Sequence, residues 1–415
     1  MPTRTKLKKI LLGSAITLVL LFLILLFVLW LKPPDILRVG ANYSAKIVCS
    51  NVFLAGRDPD EVLRVDVQAP GIALLRLMRV SVDRERRVVR AGLLGFIGDG
   101  LAVARPGTGC AVVPDGNLQF ALRADALGPP HPSTPDIAAP EPDEPWPMGN
   151  TVATSPALDR LLADDTLAGP GARAIVVVYR RRIVAERYGA GFSFDTPLLG
   201  WSMTKSVLAG LVGALVKDGR LALDQSAGWP PSGSGGRERI RIADLLAMSS
   251  GLRWNEGYGT VSDVTRMLYL ESDMASFARE QPLVHPAGEY WSYSSGTANI
   301  LSRIAQDAAG PLGAGVAAEK LFKPLGMTTA TIETDEYGTL VGSSYMYATA
   351  RDWARYGEFL LQEGAWRGQE ILPRGFVAMM ASPVASSGGQ YGHGLVWLWG
   401  SDAAFAIPDD TFWMS

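Results

Sequence analysis

One tetrad carries the strongest chemical signal in this chain: Ser202-Met203-Thr204-Lys205 sets a hydroxyl and an amine three positions apart. On a helix, residues i and i+3 share a face, so the two side chains come within hydrogen-bonding reach. A serine hydroxyl is a poor nucleophile until a base sits beside it. A lysine in water holds its proton, with a pKa near ~10.4, and burial among apolar neighbours lowers that value and frees the lone pair. The sequence supplies such neighbours, because the run after Lys205 is SVLAGLVGALV. A helix start also offers free N–H groups and a favourable dipole to an oxyanion. The ordinary alternative for the same tetrad is a capping serine followed by a solvated lysine. The chain contains no other Ser-x-x-Lys.

Other chemistries are thinly supplied. There are three histidines, His131, His285 and His393. A Ser-His-Asp triad on a nucleophile elbow needs G-x-S-x-G, and Thr204 stands two residues after Ser202. His285 precedes Pro286 in a turn, and His393 lies between Gly392 and Gly394, so both read as packing residues. The two cysteines, Cys49 and Cys110, have no neighbours at metal-ligand spacing. No metal or organic cofactor is expected. With 39 Lys plus Arg against 41 Asp plus Glu, nothing points to a nucleic-acid partner.

Residues 1–32 read as a basic stub and a transmembrane anchor. Arg4, Lys6, Lys8 and Lys9 precede an uncharged run from Ile10 to Leu31. As a helix this run spans roughly 33 Å, enough for a hydrocarbon layer of about 30 Å. Pro33-Pro34 stops it. A cleavable signal is the alternative, but its apolar core is usually shorter and ends at a small-residue site not found here. The basic cluster puts the N-terminus in the cytoplasm and everything after Lys32 outside, in the periplasm of a bacterium. On that oxidising side Cys49 and Cys110 can pair, or remain two buried thiols.

Residues 33–128 read as a small β-rich region, with strands around Val80–Leu94 and Gly98-Asp99-Gly100 as a turn. Residues 129–149 form a proline-rich linker. Residues 150–415 form the main domain. It opens with a short helix over Ser155–Leu162 and a hairpin over Ala174–Tyr188, followed by a long helix over Ser202–Lys217. Further helices are expected at Ile242–Met248, Thr297–Ala308 and Ala350–Gln362. Without regular βαβ alternation, the class is α+β, a mixed domain with an antiparallel sheet and a helical part.

The tetrad and four later blocks together resemble the serine β-lactamase and penicillin-binding protein family. The blocks are IRIADLLAMSSGL ending at Leu252, HPAGEYWSYSSGTANIL from His285 to Leu301, LFKPLGM from Leu321 to Met327, and TARDWARYG ending at Gly357. The likeness is to its class C-like branch of esterases and 6-aminohexanoate-dimer hydrolases, and it covers roughly Ala172 to Ser415. The resemblance implies Ser202 as nucleophile, Lys205 as base and Tyr293 as the proton relay of a Tyr-x-Asn motif, here Tyr293-Ser294-Ser295. Ser295 stands where that motif has Asn and would contact substrate. The Ser202 N–H would form half of an oxyanion hole. The family's third motif follows a segment like Phe412-Trp413-Met414-Ser415, so the main domain is expected to lack its C-terminal strands and to be inactive in that form. The expected function is hydrolysis of a small ester or amide through an acyl-serine. The alternatives are a non-catalytic envelope protein of the same fold, and a D-Ala-D-Ala peptidase or β-lactamase.

Overall fold

The structure, a computed structural model, describes residues 4–69, 71–123, 141–153, 155–231, 233, 235–398 and 407–415. The expected linker falls outside the described residues over 129–140, as does His131. Helix α1 (Arg4–Leu31) contains Leu11–Leu31, a stretch of mean hydropathy 3.0 with 0% of it buried. It is long and apolar enough to cross a membrane, a description a signal sequence also meets. At its foot, half-buried Leu26 and Leu29 pack with Ile36, Leu74 and Leu75 against a small core of Leu37, Met78, Leu93 and Ile97.

The N-terminal region holds a helix that its sequence pattern does not reveal. α2 (Asp35–Phe53) is buried from Val39 almost continuously to Val52, so it shows no polar stripe. It lies across an antiparallel sheet of β1 (Met78–Asp83), β2 (Val88–Leu93), β3 (Ile97–Arg105) and β4 (Gly109–Val112), in that order. Gly98-Asp99-Gly100 is not a turn but the start of β3. A Cβ on Gly100 would lie 2.3 Å from the Ala41 carbonyl oxygen, so the glycine is there to let α2 approach the strand.

The expected hairpin forms from β5 (Ala174–Tyr179) and β6 (Arg182–Tyr188). Arg180 and Arg181 both take positive φ, 48° and 63°, as a tight two-residue turn requires. Short strand β7 (Leu198–Leu199) leads into α3 (Met203–Lys217). Val207, Leu208, Leu211, Val212 and Leu215 of α3 are at most 1% exposed and centre the main core. Around them pack α4 (Asp263–Leu270), α5 (Ser295–Ala308) and α6 (Ala350–Leu361). Strand β8 (Thr331–Ile332) pairs with β9 (Met346–Ala348), and β9 pairs with β7, so all three are antiparallel neighbours. Near the C-terminus β10 (Trp397–Leu398) pairs with β11 (Phe412–Trp413).

The two regions are bolted together by buried polar groups. Lys46 of α2 pairs with Glu333 at 2.5 Å, and Ser50 and the Cys110 N–H also donate to that carboxylate. Asn42 donates to the Tyr269 carbonyl oxygen at 2.7 Å, while its own side-chain oxygen accepts from the Leu101 N–H. Within the N-terminal region, Cys49 of α2 and Cys110 of β4 form a disulfide.

Candidate active site

Two contacts aim the start of α3. A Cβ on Gly200 would fall 2.2 Å from the Trp353 ring, so only glycine allows β7 to run so close to α6. The Gly200 N–H then donates to Met346 of β9, whose own N–H donates to the Thr204 hydroxyl at 3.1 Å. Between them Trp201 takes a left-handed backbone with φ 45°, an unfavourable conformation for a bulky residue. This turn places Ser202 at the first position before α3, where backbone N–H groups lack i−4 partners.

The Ser202 hydroxyl makes no capping bond to its helix. It accepts from Lys205 Nζ at 2.9 Å instead. Lys205 is 1% exposed, and its second bond goes to the Ser343 carbonyl oxygen at 2.8 Å. Burial lowers its pKa from the ordinary 10.5 to about 8, partly opposed by the charge of Glu256. The bland alternative of a capping serine and a solvated lysine does not describe this geometry. The Tyr293 ring lies 4.8 Å from Lys205 Nζ. Burial pushes the Tyr293 phenol well up, and a hydrogen bond with Ser202 holds back part of the rise. Its hydroxyl donates to the Ser415 main-chain oxygen at 3.1 Å. The ring is stacked on Trp397, and Trp397 on Trp413, so β10 and β11 support it.

Ser295 is fully buried and faces a carboxylate. Its hydroxyl donates to Glu256 at 2.5 Å and its N–H to the other Glu256 oxygen at 2.9 Å, where the Trp254 indole also donates. Neither Glu256 nor Ser343 is singled out by sequence reasoning. Each sits just beyond a recognisable block, Glu256 four residues after Leu252 and Ser343 upstream of TARDWARYG, in loops with no periodic pattern. The histidines have other company: His285 stacks on Tyr290, and His393 Nδ1 lies 2.9 Å from the Ser382 carbonyl oxygen. Cβ atoms on Gly392 and Gly394 would each fall 2.1 Å from Met380, so this segment is packing, as its glycines suggest.

Beside Ser202 lies a mainly apolar cavity of about 470 Å³, whose lining includes Trp201 and Ser202 together with Ile36, Leu74 and Leu75. A buried lysine with lowered pKa can accept the proton of the hydroxyl it touches, which equips this corner for nucleophilic attack.

Residues 158–405 match the family described as Beta-lactamase. The chain is 27% identical over 218 residues to the 6-aminohexanoate-dimer hydrolase of Paenarthrobacter ureafaciens, covering 49% of this chain and 55% of that protein. It thus spans about half the length of the curated relative it matches. Similar solved structures include a protein assigned as a beta-lactamase from Bacteroides dorei DSM 17855, with 25% identity, TM-score 0.49, and coverage of 60% of this chain and 80% of that one. Another is assigned as a 6-aminohexanoate-dimer hydrolase from Bacillus anthracis, with 23% identity, TM-score 0.47, and coverage of 55% and 65%. With the match running through Ser202, Lys205 and Tyr293 over more than half of its residues, this chain belongs to the beta-lactamase family.

Proposed function

We propose that this protein is a serine hydrolase that cleaves a small ester or amide through an acyl-serine, held at the outer face of a bacterial inner membrane by α1. The observation that carries this reading is the 2.9 Å contact between the Lys205 amine, its pKa about 8, and the Ser202 hydroxyl. In the reaction Lys205 takes the Ser202 proton as Oγ bonds to the substrate carbonyl carbon. The bond from that carbon to the leaving oxygen or nitrogen breaks, and the proton passes through Tyr293 to the departing group. Water then attacks the acyl-serine, releases the acid and restores Ser202. The Ser202 N–H supplies one oxyanion donor. Ser295 steadies Glu256, whose charge tempers the fall in the Lys205 pKa. The name of the Paenarthrobacter relative, 6-aminohexanoate-dimer hydrolase, supports hydrolysis of a small molecule.

The expectation of an inactive domain and this reading part on one measurement: the full chain treated with a fluorophosphonate should carry one adduct, on the peptide containing Ser202, and Ser202→Ala should remove it. Adduct formation that survives Ser202→Ala would overturn the assignment. For topology, protease added to intact spheroplasts should digest the chain beyond Lys32, and full protection would show the opposite orientation.

A further inference from the structure

The cavity beside Ser202 is not closed by the hydrolase domain alone. One wall comes from Tyr258, Gly259, Thr260 and Tyr269, and the other from Ile36, Val39 and Gly40 of α2 with Ile72, Leu74 and Leu75. The charge on its lining is already answered, since Asp66 pairs with Arg57 at 2.7 Å and also with Arg173. What remains is a largely apolar cavity with the Ser202 nucleophile in its lining.

The same cavity adjoins the foot of α1. Ile36, Leu74 and Leu75 line the cavity and also share a small core with Leu26 and Leu29 of the apolar helix. The segments at that end of the N-terminal sheet expose large apolar side chains: Ile72 at 44% and Leu77 at 48% ahead of β1, and Leu94 at 43% and Phe96 at 47% in the β2–β3 turn. Leu94 donates its N–H to the Leu77 carbonyl oxygen, so these two lie side by side. An apolar collar next to a helix of membrane-spanning length is what a surface resting on a bilayer presents.

Resting on the hydrolase reading above, we infer that the substrate is an ester of a linear aliphatic acid, drawn from the bilayer side, with its acyl chain in this cavity and its carbonyl at Ser202. The volume of about 470 Å³ suits a chain of medium length. Each methylene that enters should raise kcat/KM by roughly fourfold until the cavity is full.

The test uses the full chain in detergent or nanodiscs and p-nitrophenyl esters from acetate to myristate. The decanoate-to-acetate ratio of kcat/KM should rise well above one and fall at least tenfold in Leu74→Asp, and again in Ile72→Trp. Both substitutions sit on half-exposed or exposed positions. In parallel, sodium decanoate is titrated into the Ser202→Ala protein while tryptophan fluorescence is followed, with Trp201 reporting. A flat ratio alongside Ser202-dependent acetate hydrolysis overturns the inference and leaves the hydrolase reading standing. Decanoate binding that Leu74→Asp weakens, with no ester turned over, keeps the acyl-chain site and removes the hydrolase reading. Absence of both decanoate binding and a chain-length effect overturns the inference.

Discussion

Lys46 and Lys205 are each 1% exposed, yet they stand in different regions and in opposite electrical surroundings. Lys46, in the N-terminal region, meets the Glu333 carboxylate at 2.5 Å, the Cys110 carbonyl oxygen and the face of Tyr345. Burial lowers its pKa, and the charge and hydrogen bond of Glu333 oppose that fall. Among the described residues Lys205 has no carboxylate in contact; it meets a hydroxyl, a carbonyl oxygen and the Tyr293 ring. Its charge is therefore poorly compensated, and its pKa falls to about 8. Burial lowers the pKa of both, so the difference lies in the partner: Lys46 is held in an ion pair that joins two regions, and Lys205 is set against a hydroxyl it can deprotonate.

The contrast breaks first on catalysis. Lys205→Met should lower ester kcat/KM by about 10²–10⁴, the usual range for removing a general base. If turnover stays within a factor of three of wild type, Lys205 is not the base.

Stability should respond in the reverse sense. Lys46→Met strands the Glu333 charge in the interior and should cost about 3–5 kcal/mol in denaturant unfolding, with much of the loss recovered in Lys46→Met/Glu333→Leu. Lys205→Met removes a poorly paired charge and should be neutral or stabilising at pH 7, by up to about 2 kcal/mol. Equal destabilisation by both substitutions would erase the distinction.

The pH dependence sharpens it further. Because the folded pKa of Lys205 is about 8 and its ordinary value is 10.5, the unfolded chain holds a proton between those limits that the folded chain has released. Its contribution to folding is unfavourable and constant below about pH 8, and that cost is relieved as pH rises towards 10.5. The base form appears over the same rise, so kcat/KM should climb about tenfold per pH unit below 8 and level off above it. A profile already flat from pH 6 would contradict a protonated resting lysine.

The smallest effect belongs to Glu256→Gln. Its charge is what raises the Lys205 pKa against burial, so its loss should move the rising limb to lower pH. A limb that stays in place, with KM alone altered, would make Glu256 a scaffold for Ser295 and nothing more.

Much of the site was legible because its signals are local. A serine and a lysine one helical turn apart, with an apolar run after them, state a geometry that holds wherever a helix forms. The hairpin over Ala174–Tyr188 and the helix over Ala350–Gln362 likewise follow from patterns a few residues long. α2 was not legible, since a helix buried on every side has no period to read, and Gly98 and Gly100 took the guise of a turn until Ala41 lay against them.

Sequence alone therefore determined the pairing of Ser202 with Lys205, the apolar α1 and the order of the family's blocks, all properties of neighbouring residues. Tertiary structure decided what no short window contains. It set Ser343 and Glu256 around the lysine from 138 and 51 residues away, gave Lys46 its carboxylate from 287 residues away, and closed one side of the cavity with α2. The physical reason is the same throughout: a pKa and a pocket wall depend on what is excluded from water by distant parts of the chain, and only folding brings those parts together.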